Sequence, residues 1–244
     1  MFKYISIISL LIIGAGFSAC SFGLHKTISG NVIAVKDNEH KTNTIDSIVQ
    51  PYKVELDKEM NEIIGFAEVD FIPARPNSNL GNLLADVMLE RGKNALSITF
   101  NSIEKTNVVC ILNFGGMRTS LNKGNLSLGD VFKVLPFDNQ LVLVKMKANS
   151  MLQIQAWLKE SNGHPIAGFK IDGNAISTSD EKPFPEEDFW IVTSDYLLNG
   201  GDKAAFFSEK IDVQYPKLLL RDVFIDYLKK EKILKNNLEL RITN

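Results

Sequence analysis

The sequence predicts an α+β fold in which a mixed β-sheet is flanked by helices. Short apolar runs typical of buried strands, such as Val108–Leu112, are interspersed with longer segments of helical periodicity, such as residues 79–91 and 217–232. The two kinds of segment do not alternate strictly, so a purely parallel βαβ sheet is not expected. With 244 residues, the chain is long enough to form one large domain with its own core.

Residues 1–19 predict a secretory signal. Lys3 precedes the apolar run Ile5–Ile13, which is too short to span a membrane as a helix and is followed by small residues. The segment Phe17–Cys20 resembles a bacterial lipobox, with Phe17 where Leu is usual. We expect Cys20 to carry lipid and to anchor the protein outside the cytoplasm, in the periplasm or cell envelope. Signal cleavage without lipid attachment is the alternative.

The remaining chain divides into a tether and a domain. Residues 20–43 are polar and unpatterned, which predicts a flexible tether, and residues 44–244 are the predicted globular domain. The first predicted elements are a helix from Asp46 towards Ile63 that stops at Gly65, a strand at 66–71, and a helix from Asn79 to a glycine stop at Gly92. The later elements are a strand at 108–112, a helix at 127–135, a strand at 140–146, a helix at 149–160, strands at 169–171 and 190–192, a helix at 217–232 and a strand at 238–242.

Charge and metal-ligating residues exclude several classes of function. A net charge of -2 gives no basic surface for a nucleic-acid polymer, so binding of DNA or RNA is not expected. The two cysteines, Cys20 and Cys110, lie in contexts too different for a disulfide framework, and Cys110 is expected to be a small buried hydrophobe. The three histidines are scattered, so neither a dimetal site nor another cofactor site is expected in this chain.

Three polar loops follow or precede predicted strands. In the first, Asn113 and Arg118 supply an amide and a fixed cation around Gly115 and Gly116, whose backbone can come close to a bound group. The alternative for this segment is a solvated turn with a surface arginine.

The second and third loops add aromatic rings. Pro136 leaves Phe137 exposed before the next strand, with Asn139 close behind it. Tyr196 follows the predicted strand at 190–192 and precedes Gly200, Gly201 and Asp202. For Phe137 and Tyr196, packing in the core is the alternative to ligand binding.

Together the three loops resemble the C-terminal, substrate-binding domain of the 5'-nucleotidase family. That family's hallmarks are N-G-G-G-x-R, L-P-F-x-N and an aromatic residue six positions before the Asp of G-G-D, and all three occur here in order. The resemblance covers about Asp46 to Asn244 and implies that family's C-terminal fold. Phe114 replaces the first glycine, Tyr196 replaces the commoner Phe, and Lys203 stands where a glycine usually follows.

The resemblance implies a nucleoside or nucleotide ligand. Phe137 and Tyr196 would clamp the base, Asp202 would accept hydrogen bonds from ribose hydroxyls, and Arg118 would pair with phosphate. Arg75, just before the helix that starts at Asn79, is a further phosphate-binding candidate, with a surface arginine as the alternative. The substrate-binding candidates are Asn113, Gly115, Gly116, Arg118, Phe137, Asn139, Tyr196, Gly200, Gly201, Asp202 and Arg75.

In the family, hydrolysis of a phosphomonoester requires two metal ions held by a separate N-terminal metallophosphoesterase domain. This chain leaves no room for that domain, so we expect no catalytic residue or metal in it. It would be the substrate-binding half of a split 5'-nucleotidase whose partner is a metallophosphoesterase chain carrying two divalent metals. The alternatives are a lipoprotein that binds nucleosides or nucleotides without hydrolysis, and a scaffold that kept the fold and lost the ligand.

Overall fold

A computed structural model of the protein describes residues 44–100 and 107–243. The predicted signal, Cys20 and the predicted tether lie outside the described residues. Residues 46–244 belong to a single compact unit. Across the described ranges, no helix combines the length and the apolar character needed to cross a bilayer.

The elements confirm the predicted α+β class. The helices are α1 (Thr44–Met60), α2 (Asn79–Phe100), α3 (Leu128–Val134), α4 (Ser150–Glu160), α5 (Asp195–Leu198) and α6 (Leu220–Glu231). The strands are β1 (Ile63–Ala67), β2 (Val108–Ile111), β3 (Gly124–Ser127), β4 (Leu141–Met146), β5 (Ile166–Ala167), β6 (Phe169–Asp172), β7 (Ala175–Thr178), β8 (Phe189–Ser194), β9 (Lys210–Gln214), β10 (Ile233–Leu234) and β11 (Ile242–Thr243).

The central sheet is mixed, with strand order β5-β2-β8-β4-β9. Strands β2 and β8 run parallel, so their carboxyl ends lie at the same edge of the sheet. Strand β4 is antiparallel to β8 and its first residue, Leu141, pairs with Ser194 at the end of β8. The segments after β2, before β4 and after β8 therefore emerge at one edge. These segments are the three polar loops that the sequence singled out.

Both faces of this sheet are buried except at its edge strand β9, and side chains alternate between the two faces. Val108 and Cys110 belong to the core on the side of α2 and α6, while Val109 and Ile111 belong to the core on the side of α4. Cys110 is fully buried and unpaired, as predicted, and burial raises the pKa of its thiol. Two smaller three-stranded sheets, β10-β1-β3 and β11-β6-β7, complete the fold.

The predicted end of α2 at Gly92 is wrong, because the helix continues to Phe100. A Cβ atom on Gly92 would lie 2.3 Å from Cγ2 of Val192 on β8. The glycine therefore permits close contact between helix and sheet rather than ending the helix. Sequence periodicity alone does not distinguish these two uses of glycine.

The predicted boundary between the first helix and the first strand is also wrong. Helix α1 ends at Met60, and Ile63 and Gly65 lie within β1. Strand β1 pairs with β3 and β10, two short strands that were not predicted. The apolar residues of α1 are largely exposed, with Tyr52 73% exposed, so its helical periodicity does not indicate core packing.

The predicted last strand at 238–242 is reduced to Ile242–Thr243. Leu238 and Leu240 are exposed, whereas Arg241, next to Leu240, is buried. The Arg241 guanidinium pairs with Asp86 at 2.8 Å and with Glu239 at 3.1 Å, and it donates to the Ile166 carbonyl oxygen at 2.8 Å. These partners satisfy the buried charge of Arg241, so Arg241 is buried here while Leu238 and Leu240 are exposed.

Candidate functional site

The first of the three loops, residues 113–118, begins with a buried side chain. Asn113 is only 8% exposed, and its Oδ1 accepts from the Ser194 hydroxyl at the end of β8, at 3.5 Å. A Cβ atom on Gly116 would lie 3.2 Å from the Asn113 amide, so the glycine allows the loop to fold back over that side chain. The first loop is thus held directly against the strand that leads into the third.

The second loop, residues 135–140, is tied to the third through Asp195. Its Oδ1 accepts from the Asn139 amide at 3.0 Å and from the backbone N–H groups of Gln140 and Tyr196 at 3.1 and 2.9 Å. Asp195 was not among the predicted site residues. Its position directly after a buried strand, at the start of a helix, is the signal that could have identified it.

Two clefts open along this edge and share Asn139. The first is small, with a cavity volume of about 20 Å³, and includes Asn113, Gly116 and Phe137 in its lining. The second has a cavity volume of about 480 Å³ and is lined by Asn139, Asp195, Tyr196, Asn199, Gly200 and Gly201. Asn139 lines both clefts, so predicted binding residues from each of the three loops lie on connected surfaces. Gly115, Arg118 and Asp202 lie in these loops but line neither cleft.

The two aromatic side chains are not core residues. Phe137 is 48% exposed and Tyr196 is 42% exposed. The Arg118 guanidinium lies 5.9 Å from the centroid of the Phe137 ring, and Arg118 Nη1 is 3.5 Å from the Gly115 carbonyl oxygen. The Tyr196 hydroxyl donates to Asp202 Oδ1 at 3.0 Å, a hydrogen bond to the carboxylate that raises the pKa of the phenol. Both rings are available to a ligand.

The backbone conformation of the third loop, residues 195–203, depends on its glycines. Gly200 has a φ of +87°, and a Cβ atom on Gly201 would lie 2.4 Å from Cε1 of Tyr196. The Tyr196 ring therefore lies directly on Gly201. Asp202 and Lys203 also have positive φ values, +48° and +60°, which explains why glycine suits the position of Lys203.

Arg75 lies near the first loop but lines neither cleft. Its guanidinium carbon is 4.5 Å from the centroid of the Phe114 ring, and its Nη1 donates to the Ser161 carbonyl oxygen. Phe114, the residue that replaces the family's first glycine, is half-buried and packs against the core. Phe114 therefore supports Arg75 instead of narrowing either cleft.

Two further residues near the site were missed by sequence reasoning. The Trp157 ring on α4 stacks on the His164 ring, with centroids 4.1 Å apart. His164 Nδ1 accepts from the Phe114 backbone N–H at 3.1 Å, and Trp157 Nε1 donates to the Asp202 carbonyl oxygen at 2.9 Å. Burial, followed by the nearby Arg75 cation, lowers the pKa of His164 to about 4. Neither residue forms a local motif, so the sequence carried no signal for them.

A buried arginine on α6 contacts the second loop. Arg221 on α6 pairs with Asp138 at 2.5 Å and donates to the Leu135 carbonyl oxygen at 3.4 Å. Its guanidinium carbon lies 4.2 Å from the centroid of the Phe132 ring. Arg221 therefore ties the second loop to α6 at residues on both sides of Phe137 in sequence.

The described residues do not fit the two metal ions that family hydrolases use. Within 44–100 and 107–243, no three His, Cys, Asp or Glu side chains come together as a ligand set. His164, which lies near the site, has its Nδ1 engaged by the Phe114 N–H.

The chain was compared with models of known protein families. The model of the family described as "5'-nucleotidase, C-terminal domain" matches residues 63–209, more than half of the chain. This chain belongs to that family. The family match spans all three site loops, from the first at 113–118 to the third at 195–203.

Similar proteins are considerably longer than this chain. The trifunctional nucleotide phosphoesterase protein YfkN of Bacillus subtilis is 24% identical over 243 residues, which cover 85% of this chain and 16% of that protein. The NAD 5'-nucleotidase of Haemophilus influenzae is 29% identical over 131 residues, covering 50% of this chain and 20% of that protein. The solved 5'-nucleotidase precursor from Thermus thermophilus superposes with a TM-score of 0.66 at 26% identity, covering 81% of this chain and 42% of that one.

Proposed function

We propose that this chain binds a nucleoside or nucleotide across the two clefts and presents its 5'-phosphate to a separate catalytic chain. The observation that carries this proposal is that Asn139 lines both clefts, one of which is also lined by the exposed Phe137 and the other by the exposed Tyr196. A flat base needs aromatic faces and polar groups at its edge, and this surface offers both.

The two amides offer complementary groups to the edge of a base. Asn113 accepts through Oδ1 from Ser194, and Asn139 donates through Nδ2 to Asp195. Among the residues that the structure describes, none accepts from Asn113 Nδ2 or donates to Asn139 Oδ1, so one donor and one acceptor remain for a ligand. A base edge with an adjacent acceptor and donor matches this pair.

The sugar and phosphate have candidate partners on the same edge. Asp202 is exposed, and its carboxylate, which accepts one hydrogen bond from Tyr196, can accept further bonds from ribose hydroxyls. Arg118 is exposed next to Phe137 and can form two parallel hydrogen bonds to phosphate oxygens. Arg75 adds a second positive charge beside the first loop. Gly115 and Gly116 let the loop backbone approach the ligand.

In this proposal, the two divalent metals are held by a metallophosphoesterase chain, and the pair forms a split 5'-nucleotidase. The names of the relatives include nucleotide phosphoesterase and NAD 5'-nucleotidase, which is compatible with a nucleotide ligand. If no such partner exists, the same clefts serve a nucleotide-binding lipoprotein without hydrolytic function.

The proposed location is outside the cytoplasm, with the domain anchored through lipid on Cys20 after a signal at residues 1–19 and joined by the tether at 20–43. The mass of the mature protein extracted from membranes tests the anchor. An unmodified Cys20, or a mature terminus at another residue, would contradict lipidation but not secretion.

Phosphate release from AMP tests the split enzyme. The purified chain with Mn²⁺ or Zn²⁺ should release phosphate no faster than buffer with metal, and release should rise when a metallophosphoesterase chain from the same cell envelope is added. Arg118→Ala should abolish that rise. Metal-dependent release that remains with the lone chain through several columns and is lost on Arg118→Ala would contradict the division of roles. Binding without stimulation would favour the lipoprotein alternative.

A further inference from the structure

The carboxyl end of α4 contacts three separate segments around the site. Trp157 donates to the Asp202 carbonyl oxygen, and the Ser161 carbonyl oxygen accepts from Arg75. His164, in the turn after the helix, accepts from the Phe114 backbone. One short stretch of chain thus reaches the first loop, the third loop and the segment before α2.

The contact with Asp202 holds a backbone conformation that is costly without support. Asp202 and Lys203 are consecutive non-glycine residues with positive φ, a conformation that persists where surrounding contacts fix it. The Trp157 indole N–H bonds the Asp202 carbonyl oxygen at 2.9 Å, while Tyr196 bonds the Asp202 carboxylate at 3.0 Å. The backbone and the side chain of Asp202 are therefore each fixed by a separate aromatic residue.

The Trp157 ring is itself held rigidly. It stacks on His164 with planes 17° apart and meets the Phe206 ring edge-on at 5.3 Å. Trp157 is 8% exposed and His164 is 2% exposed. Because His164 also bonds the Phe114 N–H, the stacked pair connects the first loop to the third.

We propose that Trp157 is a positioning residue that sets the place of the Asp202 carboxylate for ribose hydroxyls. The proposal rests on the proposed nucleoside-binding function. It predicts an effect that depends on the ligand: loss of the indole N–H should weaken ligands that carry ribose hydroxyls and spare those that lack them. A purely structural role for Trp157 would weaken both kinds of ligand equally.

The test compares adenosine with 2',3'-dideoxyadenosine by calorimetric titration. The wild-type chain should favour adenosine by roughly ten-fold or more, since bonds to a charged acceptor are the stronger kind. Asp202→Ala should remove this preference. Trp157→Phe keeps a ring against His164 but loses the N–H donor, and it should lower the preference by about five-fold, the value of one neutral hydrogen bond. Affinity for the dideoxy ligand should stay unchanged.

Trp190→Phe is the matched control. Trp190 is the other of the two tryptophans, and its ring packs against Phe100 at 5.6 Å, so the same substitution there should leave the preference intact. If Asp202→Ala removes the preference for adenosine but Trp157→Phe retains it, the positioning role is overturned while the proposed function stands. Equal weakening of both ligands by Trp157→Phe would also overturn it. Failure of the wild-type chain to bind either ligand would overturn the positioning role and the proposed function together.

A second measurement does not depend on the folding of Trp157→Phe. In the Trp190→Phe protein, Trp157 is the sole tryptophan. Adenosine should shift its fluorescence, because the ligand acts on Asp202, to which the indole is bonded, and dideoxyadenosine should shift it less. Equal shifts with both ligands, or no shift with either at saturation, would overturn the positioning role.

Discussion

Individual side chains decide whether the clefts bind a base. Phe137 and Tyr196 are exposed, so each can stack on a ligand without contributing much to the core. Stacking is worth about 1–3 kcal/mol per base, so Phe137→Ala or Tyr196→Ala should weaken nucleoside binding by roughly five-fold to a hundred-fold. Tyr196→Phe keeps the ring face and should cost little. Calorimetry with adenosine measures all three variants.

Thermal melts of the same variants provide the control. Truncation of a buried aromatic residue typically costs about 3–5 kcal/mol, whereas these exposed rings should cost far less. Phe224→Ala, which removes a fully buried ring, serves as the comparison for a true core position. If Phe137→Ala and Tyr196→Ala greatly lower the melting temperature and leave the affinity unchanged, both rings act as core residues and not as ligand-binding residues.

Exposed loop residues of the candidate site carry a clearer sequence pattern than the buried residues that support them. Phe137, Tyr196 and Asp202 lie in loops where glycine, proline and strand ends mark them. Trp157 is one of several apolar residues on an amphipathic helix, and its contact with Asp202 spans 45 positions. Long-range hydrogen bonds of this kind have no local pattern, so the residues that support the site emerge only from the structure.

At the scale of elements, Gly92 tests the contact between α2 and the central sheet. In Gly92→Ala, the new Cβ would lie within 3.1 Å of three atoms of Val192, whose branched side chain is buried. The gain in helix propensity is about 1 kcal/mol, while overpacking of this severity costs about 3 kcal/mol. We therefore expect a net loss of about 2 kcal/mol in the free energy of unfolding measured in urea.

Asn94→Ala is the control for this prediction. Asn94 is exposed on the same helix, so the substitution should change helix propensity alone and raise stability slightly. A Gly92→Ala protein as stable as Asn94→Ala would contradict this account, because it would mean that Val192 accommodates the added methyl group without cost.

Because His164 lies buried in the turn after α4, we expect the stability of the fold to depend on pH. The pKa of His164 is about 4 in the folded protein, lowered by burial and by Arg75 with Asp202 acting in the opposite direction, against an unfolded value near 6.5. Between these values the unfolded chain binds more protons, so stability falls as the pH falls from about 6.5 towards 4. The full difference corresponds to about 3 kcal/mol.

Urea unfolding across this pH range measures the effect against His164→Phe, which keeps a ring but cannot titrate. The variant should lose less stability than the wild-type chain as the pH falls, whatever its stability at pH 7. Parallel pH profiles for the two proteins would show that His164 is not held in its neutral form by folding.

Helix and strand types were largely predictable, while several boundaries were not. The helix predicted at 127–135 is present as α3, and in the structure it begins with a capping box in which Ser127 and Asp130 form reciprocal hydrogen bonds. Strands such as β3, β5 and β10 contain 2–4 residues, too few for a periodic pattern. Their position is set by pairing with distant strands.

At the scale of the whole molecule, sheet topology brings the site together. Parallel β2 and β8, with antiparallel β4 beside them, place three loops from distant parts of the chain at one edge. Membership of the 5'-nucleotidase C-terminal domain family accounts for the order of the three motifs. The fold class and the motif order were predictable from sequence, whereas the connection through Asn139 and Asp195 required the three-dimensional arrangement.

The central claim is that this edge of the sheet binds a nucleoside 5'-phosphate. Calorimetric titration of the wild-type chain with adenosine and with AMP tests it most directly. We predict saturable binding of both ligands at one site, tighter for AMP, with the advantage of AMP removed by Arg118→Ala because the guanidinium pairs with phosphate. Saturable binding of neither ligand, or an advantage of AMP that survives Arg118→Ala unchanged, would contradict the assignment.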